Sequence, residues 1–151
     1  MNSGTSQNKL VETLQGKIKL YDHLGLSLYE LTSEKVHFRV SLEENTNHKG
    51  TAFGGSIYSA AVMAAYGLVL HGLRERHILT ENIVIQKGEI QYLKPIESDF
   101  EVICSFASAM EANAFYQTLQ QTGRVKERLI VRVEVAGDLK ALLKGVFVVK
   151  I

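Results

Sequence analysis

The sequence predicts an α+β fold in which one curved antiparallel sheet wraps around one long central helix. Three observations carry that expectation. No charged residue occurs between Lys49 and Arg74, and residues 57–73 are apolar on every face, with Ala60, Ala61, Ala64, Ala65 and Gly67 spaced among larger side chains. A helix apolar all round must be buried all round; in so small a chain only a sheet curled about it supplies the cover, and the small residues let that sheet come close. Strand-like segments dominate the chain after His77 with no crossover helices between the later ones, which favours antiparallel pairing. Finally, 151 residues with one proline, Pro95, and no Ser-, Gly- or Pro-rich run leave room for one domain and no linker.

Composition excludes several function classes. Hydrophobic residues make up 46% and charged residues 22%, a globular balance rather than a disordered one. Lys plus Arg total 17 against 16 for Asp plus Glu, so the basic excess that marks nucleic-acid binding is missing. The longest apolar run, residues 60–70, covers 11 residues, against the roughly 20 that a membrane span needs. Residues 1–8 are polar and carry no secretory signal pattern. A single cysteine, Cys104, forms no intrachain disulfide and no metal cluster, which points to a reducing compartment. The expectation is a soluble cytoplasmic domain with neither nucleic acid nor membrane as partner and no metal.

Along the chain, Leu10, Val11, Leu14, Ile18 and Tyr21 recur at helical spacing and predict a short amphipathic helix ending near His23 to Gly25, with Gly16 weakening its middle. Leu26, Leu28 and Glu30 alternate with Ser27, Tyr29 and Leu31, and Val36, Phe38, Val40 and Leu42 with His37, Arg39 and Ser41, which predicts two strands joined by a turn at Thr32-Ser33-Glu34. A polar loop, residues 43–49, leads into Gly50-Thr51-Ala52-Phe53-Gly54-Gly55-Ser56 and then the long helix. Strands are expected at residues 83–85, 90–93, 100–106, 129–135 and 142–149. Pro95, Glu97, Ser98 and Asp99 mark a tight connection between two of them, and Ala136-Gly137-Asp138 a turn joining the last pair. A polar helix near residues 111–121 would turn Phe115 and Leu119 inward, and the last strand, apolar on both faces, suits a covered position.

Several short segments resemble a known family. Gly50-Thr51-Ala52-Phe53-Gly54-Gly55-Ser56 resembles the loop-to-helix start of hotdog acyl-thioesterases, and Ile90-Gln91-Tyr92-Leu93-Lys94-Pro95-Ile96 with Asp99 resembles the strand and turn that follow their central helix. More closely, Asn45-Thr46-Asn47, Thr51, Phe53, Gly55-Ser56, Leu73-Arg74-Glu75-Arg76-His77 and Tyr92 with Lys94-Pro95-Ile96 resemble the thioesterase family found as the C-terminal half of YiiD-type acyltransferases, over roughly residues 10–151. The resemblance implies a hotdog fold and a hydrolase of acyl-CoA or acyl-carrier-protein thioesters in fatty acid metabolism. It implies no cofactor beyond the coenzyme A or phosphopantetheine of the substrate, and a homodimer or a dimer of dimers. No acetyl transfer is carried over, because the acetyltransferase half has no counterpart in these 151 residues.

Thioester cleavage needs donors for a carbonyl oxygen that becomes negative, an activated water and room for the acyl chain. A glycine-rich turn opening onto a helix supplies the donors, since its amides and the helix dipole both favour negative charge. Gly54, Gly55 and Ser56 stand there, and the resemblance assigns the oxygen to the Gly55 amide; paired glycines equally permit close packing, and a serine equally caps a helix. The resemblance places Asn47 where an asparagine polarises the thioester or orients water, with Asn45 beside it, although loop asparagines commonly bond their own backbone. Asn47, Thr51, Gly55 and Ser56 are thus the catalytic candidates, and Asn45, His48, Phe53, Gly54, Arg74 and Arg76 the substrate-binding ones. His48 is of the residue type that serves as a general base but has no partner at a diagnostic spacing. Arg74 and Arg76 can meet coenzyme A phosphates or an acidic carrier protein, or simply complement the helix C-terminus. About two turns past the glycines, where related enzymes carry a carboxylate, the sequence reads Ala60-Ala61-Val62-Met63, so Thr51, Ser56, Tyr58, Ser59, Glu43, Glu44 or a second subunit would have to supply that group. That absence motivates a second reading, a non-catalytic acyl-thioester-binding module. Cys104 alternates with Val102 and Phe106 as a core residue does.

Overall fold

The uncharged stretch forms α2, Gly54–Glu75, and every other element is arranged around it. The computed structural model describes residues 3–151, in the order α1 (Ser3–Lys17), a 3-10 turn (Lys19–His23), β1 (Leu26–Leu31), β2 (Lys35–Val40), a second 3-10 turn (Glu43–Asn45), α2, β3 (Asn82–Tyr92), β4 (Phe100–Ser105), α3 (Ala109–Thr122), β5 (Arg124–Val135) and β6 (Asp138–Lys150). The strands make one six-stranded sheet in the order β1-β2-β4-β5-β6-β3, antiparallel at every pair. β2, β4, β5 and β6 each turn an apolar face to α2: Val36, Phe38, Val102, Cys104, Val131, Val133, Leu143, Phe147 and Val149 are all fully buried. This is period-two alternation with its hydrophobic set turned to a helix.

Ala60, Ala61, Ala64, Ala65, Leu68 and Val69 of α2 are fully buried beneath the sheet and beneath α1, whose Leu10 and Leu14 are equally buried. By length and mean hydropathy (1.4) α2 would suit a membrane, but 67% of its most apolar window is buried in the protein, so it is a core helix. The expected burial on every side holds except along one stripe. Tyr58, Val62, Tyr66 and Leu70, four residues apart, are only half-buried.

Local chemistry sets the element ends. Thr32 Oγ1 accepts from Glu34 N and Lys35 N in the β1–β2 turn. Ser108 caps α3 by accepting from Glu111 N, and Gly123 ends it at φ 79°. Ala136 and Gly137, at φ 49° and 83°, form the two-residue hairpin turn between β5 and β6. Three expectations need correction. The segments 83–85 and 90–93 are one strand, β3, continuous through a bulge at Gln86; it is an edge strand with one solvent-facing side, so its polar middle breaks no buried pattern. β5 begins at Arg124 rather than Leu129; only Val125 and Leu129 of its charged first half reach the core, so the segment carries no hydrophobic alternation. Residues 93–99 are not a tight link between neighbours, since β5 and β6 lie between β3 and β4 in the sheet.

Candidate functional site

The chain leading into α2 is fixed by hydrogen bonds at nearly every step. Asn45, 3% exposed, donates both Nδ2 hydrogens, to Leu24 O at 2.8 Å and Ser41 O at 2.7 Å, while its main-chain oxygen accepts from Phe53 N at 2.7 Å. Asn47 closes the next loop. Its Oδ1 accepts from Lys49 N (2.9 Å) and Thr51 N (3.1 Å), and its Nδ2 donates to Thr51 Oγ1 (2.8 Å). Thr51 Oγ1 is thereby held as an acceptor, which leaves its own proton free to be donated. Ala52 N donates to Ile96 O at 2.9 Å and Leu42 N to Asp99 Oδ1 at 2.8 Å, which ties the loop to the 93–99 connection.

Phe53 then turns the chain into the helix in an extended conformation (φ −69°, ψ 132°), without a side-chain cap. The first intrahelical bond is Ile57 N to Phe53 O at 3.0 Å. The amides of Gly54, Gly55 and Ser56 precede it and have no partner among the described residues. Gly55 is exposed, with the ring of Phe53, itself 56% exposed, laid beside it. Tyr92, from the end of β3, donates its hydroxyl to Gly54 O at 2.8 Å and packs its ring on Gly54. Partial burial, and then the nearby Tyr58, push the Tyr92 hydroxyl pKa up, so it stays a protonated donor at neutral pH. Tyr58 lies against Gly88 of β3. The helix start is therefore an exposed surface flanked by the rings of Phe53 and Tyr92, with three amides that have no partner among the described residues.

Of the residues singled out from the sequence, Asn45, Asn47, Thr51, Phe53, Gly54, Gly55 and Ser56 fall together at this end of α2. His48 sits exposed on the loop between Asn47 and Thr51. Arg74 and Arg76 are elsewhere, about 30 Å along the helix from Gly54 at 1.5 Å per residue. Arg74 donates to Thr13 Oγ1, and Arg76 donates to Asn113 Oδ1 at 2.6 Å while stacking 4.2 Å from the Tyr116 ring. They brace α1 and α3 against α2. Tyr92 as a neighbour of the glycines went unrecognised as a site residue; only its place at a strand end before Lys94-Pro95 hinted at it.

The one acid on α2 is Glu75, at the far end, bonded to His71 Nε2 at 2.6 Å. Glu43 and Glu44 are exposed on the preceding 3-10 turn, and the Glu44 carboxylate lies beside Gly25. Cys104 is fully buried, and burial pushes its thiol up to about 12, which makes it inert as a nucleophile. No group of three or more metal-ligating side chains occurs among the described residues.

The family described as "Putative thioesterase (yiiD_Cterm)" matches residues 7–151. A protein of unknown function from Chlorobaculum tepidum is 25% identical, with 95% of this chain and 93% of that one covered at a TM-score of 0.86. A "putative thioesterase" from Shewanella oneidensis is 23% identical over 98% of this chain and 99% of its own, at a TM-score of 0.85. Mouse thioesterase superfamily member 2 is 15% identical over 97% of each chain, at a TM-score of 0.66. The fold is the hotdog type expected from the sequence.

Proposed function

The chain belongs to the YiiD C-terminal thioesterase family, and from that premise we infer that it hydrolyses acyl thioesters carried on coenzyme A or on the phosphopantetheine of an acyl carrier protein. The observation that supports this reading is the uncapped start of α2, with the Gly54, Gly55 and Ser56 amides unpartnered among the described residues. With the thioester oxygen at these donors, the carbonyl carbon is polarised, and the charge that develops as water adds is met by amides already in place. Asn47 and Thr51 orient the water. Its oxygen bonds to the acyl carbon, the carbon–sulfur bond breaks, and one water proton ends on the leaving sulfur, giving a free acid and a free thiol. The half-buried stripe of Tyr58, Val62, Tyr66 and Leu70 offers the acyl chain an apolar bed.

That stripe and the free edge of β3 also support a homodimer. An 11-residue edge strand invites edge-to-edge pairing, and Val84 on it is 52% exposed. A second copy beside β3 would cover the stripe and wall in the exposed helix start, and the missing water-activating group would then come from the partner. Light scattering should give twice the chain mass, or four times for a dimer of dimers; a monomer at micromolar concentration would refute the arrangement.

The direct test is thiol release from a panel of acyl-CoA and acyl-carrier-protein thioesters. Turnover of at least one is expected. Tight acyl-thioester binding by calorimetry with no thiol released would instead favour the acyl-binding module, the reading to which the carboxylate-free stretch of α2 lends support.

A further inference from the structure

A groove of about 960 Å³ lies away from the helix start, between α3 and β5. It exists because β5 has neighbours of unequal length. β6 pairs with it from Arg124↔Lys150 to Val135↔Asp138, whereas β4 reaches only Cys104↔Val131. Beside residues 124–130 that lane of the sheet is empty, because the chain leaves β4 into α3 and returns at Gly123. Phe106, Phe115 and Leu129 form the apolar part of its inner wall, with Glu111, Thr118 and Glu127 beside them.

The direction of the main-chain groups follows from the register. Gly123 O accepts from Ile151 N at 3.0 Å, so odd-numbered residues face β6 and even-numbered ones face the groove. Where a local substitute exists it is used: Arg124 N and O meet Thr122 Oγ1 at 3.4 and 2.7 Å, and Arg128 N meets Glu127 Oε1 at 3.3 Å. Lys126 has none among the described residues. The even-numbered side chains Arg124, Lys126 and Arg128 are exposed and enter no ion pair among the described residues, whereas Arg132, next in the same row after Ile130, meets Glu134 at 2.6 Å. A strand edge open at Lys126, a partly apolar wall and a row of unneutralised cations suit one kind of guest. Cations on an edge deter a neutral or basic strand and attract an acidic one.

We propose that this groove binds an extended acidic segment of a partner protein as an added strand beside β5, with acidic side chains facing Arg124, Lys126 and Arg128 and alternate apolar side chains facing Phe106, Phe115 and Leu129. The main chain supplies affinity and the alternating side chains supply selectivity. Glu111 and Glu127, which also line the groove, exclude further acid from its inner side.

The test uses a labelled heptapeptide alternating glutamate with valine, followed by fluorescence anisotropy on the unaltered protein. Saturable binding that weakens as salt rises is expected. Methylating the peptide amides on one edge should weaken binding at least about tenfold, while methylating the opposite edge changes it less than about twofold, because a docked strand uses one edge only. The triple variant Arg124→Glu, Lys126→Glu, Arg128→Glu should lose the acidic peptide and take up one alternating lysine with valine. No binding, equal effects of the two methylation patterns, indifference to charge reversal in a folded variant, or self-association through this edge each overturns the proposal. Thiol release is not a readout here, so the outcome stands apart from the thioesterase reading.

Discussion

Replacing Gly72 with alanine should destabilise the protein by about 3 kcal/mol, against the direction that helix propensity dictates. In an exposed helix the change gains roughly 1 kcal/mol. Here Gly72 is buried on the face of α2 that receives α3, and a Cβ there would overlap the hydroxyl and Cζ of Tyr116, with Cε2 at 2.7 Å. Tyr116 cannot swing aside. It is fully buried, with Phe115 at 5.0 Å and Phe106 at 6.0 Å between ring centroids and the Arg76 guanidinium 4.2 Å from its own. Its hydroxyl reaches Leu68 O and Val69 O at 3.4 and 3.3 Å. Either α3 backs away from α2 or the ring leaves its site; overpacking costs about 1–3 kcal/mol and removal of a buried aromatic about 3–5. Urea denaturation should show the midpoint falling. Tyr116→Ala alone should cost a similar amount, and the double variant clearly less than the sum, because the new methyl then occupies vacated space. Strict additivity would mean that the two residues are not the contact that joins the helices.

The same clamp shows what a sequence can and cannot disclose. α2 was legible because an absence of charge from residue 50 to residue 73 has a single physical remedy, enclosure. The hairpin at Ala136-Gly137 and the cap at Ser108 were equally readable, being local chemistry between residues no more than a few apart. β3 was not legible as one strand. Its middle, Gln86-Lys87-Gly88-Glu89, is exposed at a sheet edge, where nothing forces a hydrophobic alternation. The first half of β5 hid for the same reason, its main chain bordering an empty lane and its cations exposed. In the site, the glycine amides could be placed from sequence because a helix start is a local event, whereas Tyr92 meets Gly54 across 38 positions and only the β2–α2–β3 path brings them together. Both asparagines were recognisable as loop builders; that Asn45 reaches back to Leu24 was not.

Replacing Gly55 with proline should lower kcat for thioester hydrolysis by about 10²–10³-fold while leaving KM and stability nearly unchanged. The effect on the fold is small because the Gly55 amide precedes the first intrahelical bond, Ile57 N to Phe53 O, so proline deletes a donor that no main-chain carbonyl uses. Gly54 before it is helical and, having no Cβ, meets the proline ring only through its own N–H. The ring would press on Phe53, whose Cε2 lies 2.7 Å from where a Cβ would stand, but Phe53 is 56% exposed and can turn outward. The effect on the reaction is large because the donor matters when the carbonyl oxygen becomes an anion, and losing one such donor costs about 2.7–4 kcal/mol of transition-state stabilisation. Gly55→Ala separates shape from hydrogen bonding: it displaces Phe53 in the same way but keeps the N–H, and should retain most of the turnover. Equal losses in the two variants would assign the effect to the displaced ring. Wild-type turnover in the proline variant would remove the Gly55 amide from the mechanism altogether.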